Sequence, residues 1–71
     1  MDFNYNKLKG RIKEMCGTQL GYAKALGISD AALSQRLNNK GVFTQTEIYE
    51  SMAILKIEPV ELSIYFFIAE S

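Results

Sequence analysis

Residues 18–38 read TQLGYAKALGISDAALSQRLN. Two short helical patterns meet here at Gly27. Thr18 and Ser29 each stand just ahead of one of them, where a hydroxyl oxygen accepts from a free N–H of the first turn. Leu20, Ala23 and Leu26 fall on one side of the first pattern, and Leu33 and Leu37, four apart, on one side of the second. Gly27 supplies the left-handed residue at the bend, Ala23 is small enough for two helices to touch, and Ile28 tucks under the turn. Gly21, inside the first pattern, costs about 1 kcal/mol relative to alanine, and its spacing gives no reason for it. Together these features are the sequence form of a helix-turn-helix, which lays its second helix in the major groove of DNA. Asp30, Ala31, Ser34, Gln35 and Asn38 point outward from that helix.

Working outward, residues 2–16 read as a first helix, with Leu8, Ile12 and Met15 on one face and Tyr5 beside them. Lys7, Lys9, Arg11 and Lys13 occupy much of the rest, and Gly17 follows where helices commonly end. On the other side, Asn38-Asn39-Lys40-Gly41 reads as a loop. Thr44-Gln45-Thr46-Glu47 is a capping box, and Phe43 and Ile48 are placed for a hydrophobic staple. That fourth helix carries Ile48, Met52 and Leu55 inward, flanked by Tyr49 and Ala53. Pro59 suits a first helical position, so residues 58–66 read as a fifth helix. The expected fold is all-α: five helices, the helix-turn-helix in the second and third, and one domain over residues 1–71.

Composition narrows the function classes. The chain has 71 residues, 48 % of them hydrophobic, enough for one small core. A single cysteine excludes an internal disulfide and fits a reducing cytoplasm. No signal-peptide pattern opens the chain. The formal net charge is zero, but residues 1–40 hold seven Lys/Arg against three acids, and residues 41–71 hold one lysine against five acids. Such polarity places a basic face toward phosphate and an acidic half away from it; the alternative is chance segregation on a solvated surface. With no histidine, no base beside the cysteine and no clustered ligands, neither catalysis nor a metal site has a foundation, and no cofactor is implied. Cys16 reads as a small apolar core residue, with a redox role as the alternative.

The spacing Gln19-x3-Ala23-x3-Gly27-x5-Leu33 resembles the helix-turn-helix of the lambda-type phage repressor and Cro family. The wider string NYNKLKGRIKEMCGTQLGYAKALGIS, with LNNKGVFTQTEI, resembles short Cro-like phage regulators of Gram-positive hosts. Two positions depart from the family pattern: Tyr22 stands where an aliphatic residue is usual, and Arg36 where an apolar one often is. The resemblance implies that Asp30, Ala31, Ser34 and Gln35 read bases, with Asn38 at the margin. Gln35 suits adenine, Asp30 accepts from cytosine, Ala31 offers a methyl to thymine, and Ser34 bonds either way. Asp30 and Asn38 also have purely structural readings, as a helix-dipole residue and a C-terminal cap. Gln19, Arg36, Asn39 and Lys40 are expected on the DNA phosphates.

The C-terminal run Ile64-Tyr65-Phe66-Phe67-Ile68 is too apolar to face one side of a helix. Tyr65, Phe66, Phe67 and Ile68 are therefore expected to supply a dimer contact, by helix packing or by pairing of the terminal segments. The reading is a cytoplasmic, Cro-like repressor that acts by occupying an operator as a homodimer. A protein-interaction module of the same fold, gripping an antirepressor or antitoxin-like partner, is the alternative. A DNA-bending accessory factor is a third.

Overall fold

The computed structural model describes residues 2–70. A two-residue strand, β1 (Asp2–Phe3), leads into α1 (Asn6–Cys16), α2 (Gln19–Leu26), α3 (Asp30–Leu37) and α4 (Gln45–Leu55). A single 3-10 turn (Pro59–Glu61) then runs into α5 (Leu62–Phe66), and β2 (Ala69–Glu70) ends the described chain. The five-helix, all-α architecture is as the sequence implies, with one addition. β1 and β2 pair antiparallel, Asp2 opposite Glu70 and Phe3 opposite Ala69, and the Asn4 N–H donates to the Ile68 carbonyl at 2.7 Å.

That pairing shortens α1, which starts at Asn6 and not at residue 2, because the backbone of residues 2–4 is committed to the ribbon and the loop beside it. Likewise residues 58–66 are not one α-helix. Pro59 opens a tight turn in which the Glu61 carboxylate accepts from the Glu58 N–H at 3.0 Å, and regular α-helix begins only at Leu62.

The core is built from Tyr5, Leu8 and Ile12 below, Tyr22, Ala23 and Leu26 of α2, Leu33 and Leu37 of α3, and Phe43, Leu55, Ile57, Tyr65 and Phe66 above. Two helices are rotated from the faces the apolar pattern suggests. In α2 the fully buried residues are Tyr22 and Ala23, and Leu20 is 48 % exposed. In α4 the buried positions are Glu47, Ser51 and Leu55, while Tyr49 is 72 % exposed. One interaction explains both: the Tyr22 hydroxyl bonds the Ser51 hydroxyl, which in turn donates to the Glu47 carbonyl at 2.7 Å. A buried phenol needs a partner, and turning α4 to present Ser51 supplies it. Burial pushes the Tyr22 hydroxyl up to about 12, against a smaller lowering by the Ser51 hydrogen bond.

Gly21 has a reason after all. A Cβ there would lie 2.9 Å from the Cys16 carbonyl oxygen, so α2 approaches the end of α1 more closely than alanine allows. Cys16 itself is half-buried against the core, and burial pushes its thiol up.

Candidate nucleic-acid interface

α2 and α3 are eight residues each and joined by residues 27–29. Gly27 ends α2 in the left-handed region at φ 77°, and its N–H donates to the Lys24 carbonyl at 3.1 Å. The Ile28 N–H then reaches back to the Ala23 carbonyl at 3.0 Å. Ser29 caps α3, accepting from the Ala32 N–H at 3.0 Å, and Thr18 caps α2 through the Gly21 N–H at 3.0 Å. Among the described residues the first two backbone N–H groups of each helix, those of Gln19 and Leu20 and of Asp30 and Ala31, carry no internal bond and are the donors a helix N-terminus offers an anion.

Gln19 links the two helices. Its Nε2 donates to the Ser34 Oγ at 2.8 Å and to the Asp30 Oδ1 at 3.3 Å. The start of α2 and the outward side of α3 thus form one polar surface. Asp30, Ala31 and Gln35 are exposed on it, and Ser34 half so. No hydrogen bond among the described residues engages the Gln35 side chain, which leaves it free for an incoming ligand. The Asn38 Nδ2 donates to the Ser34 carbonyl at 2.8 Å; this is the C-terminal capping role, and it occupies the side chain.

The four residues expected on phosphate separate into two groups. Lys40 is exposed, and Gln19 is exposed with its amide nitrogen committed to Ser34 and Asp30, so at Gln19 the backbone N–H is what remains for an anion. Arg36 and Asn39 are occupied elsewhere. Arg36 forms a two-pronged pair with Glu47, Nε to Oε1 at 2.8 Å and the second guanidinium nitrogen to Oε2 at 3.0 Å. Asn39, at φ 61°, is bonded both ways to the Phe3 backbone: its Oδ1 accepts from the N–H and its Nδ2 donates to the carbonyl, each at 2.9 Å. It fastens β1 to the loop that carries Lys40.

Two cations that the sequence left unassigned stand nearby. Lys9 and Lys13 of α1 border a cleft of about 140 Å³ whose rim includes Thr18 and Gln19 and whose wall includes Ile12 and Leu37. Their spacing, four apart on a helix that ends just before Thr18, was the available signal. Arg11, between them, is turned away: it bonds Glu14 at 2.6 Å and the Leu55 carbonyl at 2.8 Å.

The C-terminal residues also separate. Tyr65 and Phe66 are 8 % and 1 % exposed and belong to the core, so they cannot serve as a surface contact. Phe67 and Ile68 are 51 % and 45 % exposed. Phe66 is drawn in by an edge-on packing against Phe43 at 5.2 Å between centroids, and Phe43 packs the same way on Tyr5 at 5.5 Å. A second groove, of about 180 Å³, runs beside these rings between Phe3, Val42 and Phe67.

Among the described residues no cluster of potential metal ligands occurs, and no helix is long and apolar enough to cross a membrane.

No curated protein matches the chain. Among solved structures it is similar to the modulator of repression (MOR) of the temperate bacteriophage TP901-1 from Lactococcus lactis, at 37 % identity and a TM-score of 0.80, over 94 % of this chain and 90 % of that one. A family model described as a protein of unknown function, DUF739, matches residues 1–69, and the chain belongs to that family.

Proposed function

We propose that the chain is a phage-type transcriptional regulator that binds operator DNA through α2 and α3, in the manner of the lambda and Cro repressors, and acts in the cytoplasm by occupancy. The observation that carries this reading is the Gln19 bridge to Ser34 and Asp30. It joins the free N–H groups of α2, which suit phosphate, to the outward side of α3, which suits base edges. Lys9, Lys13 and Lys40 flank that surface and add the charge that draws a polyanion. Gln35 is the base reader and Ala31 and Ser34 support it; Asp30 selects cytosine or disfavours its rivals.

One such helix reads too few base pairs for useful specificity, so the regulator acts as a homodimer. The exposed apolar residues Phe67 and Val42 of the second groove, with the exposed Ile68 next in the chain, are the contact.

A second reading has specific support. Arg36 is consumed by Glu47, Asp30 places an acid on the reading surface, and the net charge is zero. The same face of α3 then grips another phage regulatory protein, in keeping with the description of the similar TP901-1 protein as a modulator of repression.

Selection from a pool of random duplexes separates the two. The DNA reading expects one enriched sequence, and Gln35→Ala relaxes one position of it while costing about 1–3 kcal/mol. A pool that never enriches, with tight binding to a purified phage repressor, supports the second reading.

A further inference from the structure

Arg36 lies on the helix proposed to enter the groove, and at first sight it is the natural phosphate ligand there. Its surroundings say otherwise. The guanidinium is held on both edges of the Glu47 carboxylate, and its third nitrogen donates to the Ala32 carbonyl at 3.1 Å, one turn back along α3. The two side chains are only 19 % and 10 % exposed. Glu47 is itself fixed from behind: its Oε1 accepts from the Thr44 N–H at 3.0 Å and the Thr44 hydroxyl accepts from the Glu47 N–H at 3.1 Å, the capping box of α4. Its carbonyl holds Ser51, which bonds Tyr22 of α2. A continuous series of bonds therefore runs from α3 through the first turn of α4 to α2. Among the described residues the Arg36–Glu47 pair is the hydrogen-bonded link between α3 and α4.

We infer that Arg36 is a positioning residue, which with Glu47 sets the angle of α3 against α4 and through it which base sequence is read. This rests on the DNA reading above. A part-buried ion pair adds little net stability once its desolvation is counted, but a planar, two-pronged one restricts geometry closely. The pair leaves Arg36 oriented toward the protein, so phosphate contact falls to the exposed Lys9, Lys13 and Lys40. Arg36 thus controls discrimination between sequences and leaves the electrostatic part of affinity to those lysines.

The test compares Arg36→Met with Glu47→Gln, which removes the carboxylate charge and keeps a side chain able to close the capping box. Each is titrated by fluorescence anisotropy against the duplex enriched by the wild type and against a scrambled duplex, over a range of salt. Both variants should lose about tenfold in the ratio of the two affinities. Both should keep the wild-type slope of log affinity against log salt. A slope reduced by about one unit in Arg36→Met, with Glu47→Gln retaining full discrimination, makes Arg36 a phosphate ligand and overturns the inference. If Arg36→Met does not fold by circular dichroism, Glu47→Gln decides by the same ratio. A wild type that enriches no sequence defeats the DNA reading itself. Residual dipolar couplings then decide the positioning role: a reoriented α3 in Glu47→Gln supports it, and an unmoved α3 overturns it.

Discussion

The Nε2 of Gln19 lies 2.8 Å from the Oγ of Ser34, so the first residue of α2 is tied to the middle of α3 across the turn. Gln19 is exposed, and its removal opens no cavity. Gln19→Ala should therefore shift the melting temperature little, within about 0.5 kcal/mol. It should weaken binding of the selected duplex by about 1–2 kcal/mol, because the bridge that aligns Ser34 and Asp30 on α3 is lost. Thermal melts and anisotropy on the same preparation check both halves.

The buried Tyr22 phenol gives stability a dependence on alkaline pH. Its folded value, about 12, lies above the ordinary 10.0. The unfolded chain thus loses the phenolic proton first. Stability is intact below pH 10 and falls as pH rises from there toward 12, by up to about 2–3 kcal/mol from this residue. Tyr22→Phe should be less stable at neutral pH by about 1–2 kcal/mol, since Ser51 keeps its bond to the Glu47 carbonyl but loses the one to the phenol, and its urea midpoint should decline less between pH 10 and 12 than that of the wild type.

Asn39 holds the N-terminal strand through two hydrogen bonds to the Phe3 backbone while sitting at positive φ. Asn39→Ala loses both bonds and adds backbone strain, an expected cost of about 2–3 kcal/mol. Asn39→Gly relieves the strain and still loses the bonds, so it should recover only part. Amide exchange at Phe3, bonded to Asn39, and at Asn4, bonded to the Ile68 carbonyl, should speed up in both variants, ahead of exchange in α4.

Neighbouring phenylalanines should respond in opposite ways. Phe66, 1 % exposed, is a core residue, and Phe66→Ala should cost about 3–5 kcal/mol. Phe67, 51 % exposed and packed edge-on against Phe3 at 6.1 Å, should cost about 1 kcal/mol on truncation. Phe67→Ala should instead shift sedimentation toward monomer, and an unchanged sedimentation coefficient places the dimer contact elsewhere.

The parts of this fold governed by local chemistry were legible in residue order: the caps Thr18, Ser29 and Thr44, the turn at Gly27, the breaks at Gly17 and Pro59. What was not legible was mostly long-range and polar. Ser51 looks like a surface residue until Tyr22 reaches it, and counting apolar positions alone rotates α4 away from its true face. Arg36 and Glu47 are eleven residues apart, a pairing that no helical spacing rule covers. Asn39 and Phe3 are farther apart still, so a loop asparagine read as a phosphate ligand is in fact a strand anchor. The terminal ribbon leaves no mark in residue order because two-residue strands carry no alternation, and Phe66 and Phe67 are indistinguishable until Phe43 selects one of them. On the outward side of α3, Asp30, Ala31 and Gln35 are exposed as their spacing implies, while the approach of Lys9 and Lys13 to Gln19 depends on how the end of α1 packs beside α2.

The most direct test of the account is the salt dependence of binding to the duplex enriched from a random pool. For the wild type, log affinity should fall linearly with log salt, with a slope corresponding to several phosphates neutralised per protomer. Lys9→Ala, Lys13→Ala and Lys40→Ala should each reduce that slope by about one unit without changing the preferred sequence. A flat salt response, or no enrichment from the pool at all, contradicts a DNA-reading role for α2 and α3.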